Sequence, residues 1–254
     1  RVNAYHGTGI ASASLTGLKR MHEAFDLPIT DRVLRTDCPH FYKFGEEGET
    51  EEEFATRIAE NLEKLILAEG PDTVGAFIAE PVMGAGGVIV PAATYFEKVQ
   101  AVLAKYDVLF IADEVICGFG RTGNMWGSQT FNLKPDMITC AKALSSSYLP
   151  ISAVFVNDKI YQAVKELSGE LGAFGHGYTY SGHPVPAAVA LETLKIYDER
   201  DIVGHVRRMA PHLQDGLRRF VDHELVGEVR GVGLIAGVEL MADREKRVPF
   251  KPTD

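Results

Sequence analysis

The chain has 254 residues, 46% hydrophobic and 24% charged, a globular composition that excludes a disordered segment, a collagen-like repeat or a coiled coil. Lys and Arg number 26 against 35 Asp and Glu, so the formal net charge is −9, which argues against a nucleic-acid surface. No apolar run approaches the ~20 residues that a membrane helix needs, so neither nucleic acid nor membrane is an expected partner.

At ~150 residues per domain, the length fits one large domain or two unequal ones. Cys38, Cys117 and Cys140 are few, odd in number and form no CxxC pair. That predicts neither a disulfide framework nor a Cys-rich zinc site, and points to a reducing compartment. The chain opens on Arg1 and closes on a polar tail with Pro249, Pro252 and Asp254. Both ends read as cut from a longer protein, so a targeting segment is unobservable. The expected compartment is the cytoplasm, or the mitochondrion for a eukaryotic source.

Strand-like and helix-like segments alternate along the chain. Residues 50–69 predict an amphipathic helix with Phe54, Ile58, Leu62, Leu65 and Ile66 on one face. Thr50 and Glu53 have capping-box spacing, the acid run 46–53 suits a helix start, and Gly70-Pro71 ends the helix. Val74–Ala79 is a short apolar run, a predicted buried strand. A helix over 92–105, opened by Pro91, offers Phe96, Val99, Val102 and Leu103 to the core. Val108–Ala112, Met137–Ala141 and Ile151–Val156 are three further predicted buried strands. Residues 158–167, 184–197 and 200–221 read as helical, and Val226–Arg230 and Leu234–Leu240 as paired strands. Apolar strands without alternation, separated by helices, predict a mostly parallel sheet covered on both faces. Charged residues over 198–224 suggest an exposed connecting helix, and the last thirty or so residues the start of a smaller domain.

In an open α/β sheet, ligands bind outside the carboxyl ends of the strands. Glu80 follows the first strand, Asp113-Glu114 the second and Lys142 the third. Each alone reads as a surface charge at a strand end. Together, two acids and a lysine on one edge suit a single ligand. Pyridoxal phosphate (PLP) is held as a Schiff base by a lysine, while an aspartate pairs with its pyridinium nitrogen. The lysine, once released by substrate, moves the proton.

Four separated segments then carry a resemblance: Phe77–Pro91 (FIAEPVMGAGGVIVP), Leu109–Gly123 (LFIADEVICGFGRTG), Pro135–Leu144 (PDMITCAKAL) and Gly175–Pro184 (GHGYTYSGHP). They resemble the class III aminotransferases of PLP fold type I, in order and over nearly the whole chain. EPVMGAGGVIVP and YTYSGHP are most similar to ω-amino-group transaminases that use pyruvate, including GABA:pyruvate enzymes. The resemblance implies an α/β large domain with a mostly parallel central sheet covered by helices over residues 1–198. A connecting helix and the start of a smaller C-terminal α+β domain would follow over 199–254.

It also implies residue roles. Lys142 matches the Schiff-base lysine and Asp113 the partner of the pyridine nitrogen. Val115 matches the aliphatic residue on one ring face, and Tyr5, followed by His6 in the same cofactor-binding motif, the aromatic on the other. Glu80 matches the acid near the ring hydroxyl and an active-site water. Thr179, with Tyr178 beside it, matches the hydroxyl that reaches the coenzyme phosphate of a neighbouring subunit. The implied cofactor is pyridoxal 5'-phosphate, with no metal. The implied partners are a small amine donor, a keto-acid acceptor and a second copy of the chain, in a homodimer with shared active sites. The family's phosphate-cradling Gly/Ser loop would lie before Arg1 and its carboxylate-binding arginine after Asp254. An aminomutase or decarboxylating lyase on the same fold, or a non-catalytic PLP-fold module, are the rival readings.

Two glycine motifs invite another reading. Gly118–Gly123 fits GxGxxG after a strand, but Asp113-Glu114 would repel a pyrophosphate and no amphipathic helix follows. Gly231–Ala236 fits a GxGxxA form but runs into strand-like sequence, so turn glycines are expected. His176 and His183 lack companion metal ligands and are expected to make structural hydrogen bonds. Ser145, Ser146 and Ser147 suit either ligand contacts or a solvated loop. Trp126 and Tyr148 either line a cavity or pack.

Overall fold

The structure, a computed structural model, describes residues 1–23 and 25–251; the tail residues Pro252 and Asp254 lie outside the described residues. Helices α1 (Ile10–Leu15), α2 (Arg20–Glu23), α3 (Phe41–Phe44) and α4 (Glu51–Glu69) precede strand β1 (Ala76–Ala79). Then come α5 (Tyr95–Lys105), β2 (Leu109–Asp113), α6 (Gly127–Thr130), β3 (Met137–Cys140) and β4 (Ala153–Val156). The chain continues through α7 (Asp158–Leu171), α8 (Pro184–Glu199), α9 (Ile202–Arg218), β5 (Val226–Val232), β6 (Ile235–Asp243) and β7 (Val248–Pro249).

Thr50 and Glu53 close the predicted capping box on α4: the Thr50 hydroxyl accepts from the Glu53 amide, and Glu53 accepts from the Thr50 amide. Phe54, Ile58, Leu62 and Ile66 of α4 and Phe96, Val99 and Leu103 of α5 pack with Phe77 and Phe110 of the sheet. Burying one such side chain is worth roughly 1.5–3 kcal/mol, so this layer fixes β1 and β2. Leu65 and Val102 are only partly buried. Helix α5 starts three residues later than predicted, because its N-cap Thr94 adopts a left-handed conformation (φ 67°) that breaks the run from Ala92.

Strands β1, β2 and β3 are parallel, in that spatial order. β4 runs antiparallel to β3 and closes the row. Its apolar sequence predicts burial, yet Val154, Phe155 and Val156 are 59%, 50% and 42% exposed. Among the described residues it is an edge strand with one neighbour, so only part of its surface is covered. In a separate cluster, Cys140 and Leu144 pack with Phe119 and with Ala190 of α8. All three cysteines are buried and free. Among the described residues no helix is long and apolar enough to cross a membrane.

β5, β6 and β7 form a separate antiparallel sheet. Gly233 sits in the two-residue turn between β5 and β6 with φ +59°, and a Cβ there would strike the Arg121 carbonyl and Thr122. The Leu234 amide donates to the Arg121 carbonyl at 2.9 Å, and the Arg121 guanidinium donates to the Leu234 carbonyl at 3.2 Å. The two glycine motifs therefore dock on each other as turns. The next helix after the first motif, α6, has four residues, too short to serve a dinucleotide.

Candidate active site

The strand register sets the edge. Ala79 pairs with Ala112, so Glu80 emerges beside Asp113; Asp113 pairs with Thr139, three residues before Lys142. Three consecutive parallel strands thus deliver two acids and a lysine to the same carboxyl edge.

Asp113 is buried, and both its oxygens are engaged. Oδ1 accepts from the Val115 amide at 3.1 Å, and Oδ2 lies 2.7 Å from His6 Nδ1. Against an ionised carboxylate that nitrogen carries the proton. The His6 ring is held from behind, its backbone amide donating to Thr16 Oγ1 at 2.9 Å. Its Nε2 is buried with no hydrogen-bond partner. The sequence places His6 with the cofactor contacts; the structure joins it to Asp113, 107 residues away, a pairing with no local signature.

Glu80 is 2% exposed. Oε1 accepts from the Tyr5 amide at 3.0 Å and Oε2 from the Gly84 amide at 2.9 Å, so Tyr5 and Glu80 arrive together. Burial pushes the Glu80 carboxyl up, opposed by the Tyr5 amide, the Arg1 guanidinium and the Gly84 amide.

Lys142 opens a single turn of 3₁₀ helix directly after β3 and has φ +46°. A non-glycine residue in that region is held at a cost of order 1–3 kcal/mol, and such residues cluster at ligand sites. Its side chain makes no hydrogen bond or ion pair among the described residues. An unbonded amine on the same strand edge as a doubly anchored carboxylate, together with a half-buried Val115, is a donor set that fits PLP.

Tyr178 and Thr179 are not brought to this edge. They lie in an exposed loop, where the Tyr178 ring touches that of His176 at 4.9 Å. No hydrogen bond or ring contact joins either to Glu80, Asp113 or Lys142 among the described residues. His183 caps α8, its Nδ1 accepting from the Val185 amide. Trp126 packs against Phe119 and Phe155, whereas Tyr148 is 79% exposed. Ser145 donates to the Leu149 carbonyl, and the Ser146 hydroxyl lies 2.7 Å from that of Tyr197.

Glu114 turns away from the edge. Its fully buried carboxylate accepts from the Gly127 amide (2.9 Å) and from the Ser128 amide and hydroxyl (2.6 Å each), capping α6 from outside. Burial raises its carboxyl above the ordinary 4.5, against the pull of these donors. Between 4.5 and the raised value the native state holds more protons than the unfolded chain, so stability falls as pH rises through that window. Urea midpoints of Glu114→Gln and the parent, measured from pH 4.5 to neutrality, are expected to diverge in the variant's favour as pH rises. A pH-independent difference would contradict this.

Residues 2–252 match the family model "Aminotransferase class-III", and the chain belongs to that family. It is 59% identical over 252 residues to gamma aminobutyrate transaminase 3, chloroplastic, of Solanum lycopersicum, covering 99% of this chain and 48% of that protein. It is 58% identical over 250 residues to gamma-aminobutyrate transaminase 1, mitochondrial, of Oryza sativa subsp. indica, covering 98% and 48%. Among solved structures, a transaminase with L-ala superposes with a TM-score of 0.97 at 62% identity, covering 100% of this chain and 59% of the other. The omega transaminase from Pseudomonas jessenii in complex with PMP gives 0.96 at 57% identity, covering 99% and 55%. The chain spans about half the length of the curated relatives it matches.

Proposed function

We propose that this chain is the catalytic core of a PLP-dependent transaminase that moves an amino group from an ω-amino acid or amine to a keto acid, with pyruvate as acceptor. The observation that carries the reading is the unpartnered Lys142 amine on the edge where His6 and the Val115 amide fix Asp113. The relatives' names, gamma aminobutyrate transaminases, support an ω-amino donor. Residues 1–198 would form the cofactor-holding domain and 199–254 a connecting helix and the start of a smaller second domain, of which 252–254 lie outside the described residues.

When bound, PLP supplies an electron sink for the pair left as a substrate C–H bond breaks. Lys142 Nζ would tether it and, once released by the donor amine, would be the base that takes the proton from the amine-bearing carbon. Asp113 would keep the ring nitrogen protonated, Tyr5 and Val115 would hold the ring, and Glu80 would serve its hydroxyl. With a water oxygen in place of its amino group, the donor would leave as an aldehyde, ketone or oxo acid, and the keto acid would then take the nitrogen and give up its carbonyl oxygen as water, in a ping-pong cycle. The test is a half-reaction: loaded protein should convert GABA to its oxo acid without acceptor, and pyruvate should then yield alanine. Sustained turnover beyond one equivalent per site without a keto acid would instead favour an aminomutase or lyase.

Thr179 would reach the coenzyme phosphate of a partner subunit in a homodimer, a reading supported by its exposure in the loop before α8. Lys142→Ala and Thr179→Ala subunits, each impaired alone, should regain activity on mixing and exchange. One mixed site then carries both lesions and the other neither. No gain, with exchange confirmed, would place Thr179 in its own subunit's site or outside any.

A further inference from the structure

The segment after Glu80 is a tight hairpin. Met83 and Ile89 exchange backbone hydrogen bonds at 3.0 and 2.9 Å, and the Gly84 carbonyl accepts from the Gly87 and Val88 amides at its tip. Gly87 and Val88 both have positive φ, +120° and +54°. Glycine tolerates that region; a β-branched valine does not, and persists there only where surrounding structure holds it.

That hold comes from Arg230 of β5, 142 residues away. Its Nε donates to the Gly87 and Val88 carbonyls at 3.1 Å each, and Nη2 donates again to Gly87. The guanidinium is itself fixed from the other side. Nη1 pairs with Glu228 and Nη2 with Glu239, both at 2.7 Å, and Glu228 also meets His40 Nε2 at 2.8 Å. The Arg230 side chain is 9% exposed. His40, Glu228 and Glu239 have the donor atoms of a metal site, but Arg230 already supplies the cation between the two acids.

The tip in turn sets both donors on Glu80. Gly84, whose carbonyl closes the turn, presents its amide to Oε2. Gly86 abuts the Asn3 carbonyl so closely that a Cβ would not fit, and Asn3 lies two residues before Tyr5, whose amide serves Oε1. On the other side Gly237 of β6 leaves room for the Gly87 carbonyl and Val88.

We propose that Arg230 is a positioning residue for Glu80, acting through the Gly84–Val88 turn, with Glu228, Glu239 and His40 holding its guanidinium. The inference rests on the proposed place of Glu80 at the coenzyme ring. It makes the C-terminal sheet part of the active-site scaffold. Lysine cannot substitute, because a single ammonium lacks the planar fork that reaches two carbonyls and two carboxylates at once.

The test uses the full-length protein in two arms. In the first, hydrogen exchange of the 82–90 segment is followed without PLP in Arg230→Lys, which keeps the charge facing Glu228 and Glu239, and in Arg230→Ala. Exchange should accelerate about tenfold or more in Arg230→Lys, the scale of one lost hydrogen bond, while α4 amides stay protected. In the second arm, Arg230→Lys should lower kcat/KM about tenfold, and this loss should largely vanish when Glu80 is already Gln. Unchanged 82–90 protection in Arg230→Lys overturns the proposal, as does an undiminished loss in the Glu80→Gln background. If the parent transfers no amino group, the transaminase reading fails, and the exchange arm alone decides whether Arg230 holds the turn.

Discussion

Lys142→Ala is expected to abolish amino-group transfer, because in the proposed mechanism one nitrogen would serve as both tether and proton carrier. Loss of the proton carrier alone removes roughly 10²–10⁴-fold. Loss of the tether adds to that, so turnover should fall to the assay background. The fold should survive. The Lys142 side chain is exposed and makes no hydrogen bond or ion pair among the described residues, so alanine leaves no buried group unsatisfied. Coenzyme should still bind through ring and phosphate contacts, more weakly and without a covalent link. The measurement is steady-state turnover beside a thermal unfolding curve. Retained turnover, or lost turnover with a lost fold, would speak against the assignment.

Asp113→Asn is expected to keep the shape of the site and remove the charge that, in the proposed mechanism, would hold the ring nitrogen protonated. A charge-assisted hydrogen bond in a buried site is worth about 1.5–3 kcal/mol, or roughly tenfold to a hundredfold or more in the proton-transfer step. The geometry adds a second loss. The carboxylate accepts from both the Val115 amide and His6 Nδ1, and an asparagine has one acceptor oxygen for those two donors. Either His6 changes tautomer or a donor is left without a partner. Asp113→Glu should also be poor, because the added methylene pushes the carboxylate past both. Primary isotope effects with a donor deuterated at the reacting carbon should rise in Asp113→Asn as proton transfer becomes rate-limiting. An asparagine variant with parental turnover would remove the role from Asp113.

The parts of this architecture that were legible in the sequence are those with a local cause. Thr50 and Glu53 are three residues apart, and their capping box forms as the spacing predicts. Glu80, Asp113 and Lys142 follow apolar runs, and parallel pairing carries all three to one edge. Gly233 has its positive φ where a turn between paired strands requires it. What stayed hidden depends on distant partners. Helix α6 is four residues long and has no propensity signal of its own; Glu114, thirteen residues before it, caps it from the sheet. The exposure of β4 follows from its edge position and not from its apolar composition. His6 finding Asp113, and Arg230 finding the Gly87 and Val88 carbonyls, are contacts across more than a hundred residues. In sequence, His6 is one histidine in a Tyr-His-Gly run and Arg230 one of many exposed-looking arginines.

The central claim is that Lys142 carries the coenzyme, and borohydride reduction tests it most directly. The loaded full-length protein would be reduced, digested and mapped by mass spectrometry for the phosphopyridoxyl group. A single labelled peptide spanning Met137–Leu144 is expected, with the label on Lys142 and its loss in Lys142→Ala. Label on Lys134, Lys105 or another lysine, or no label on a protein that transfers amino groups, would contradict it.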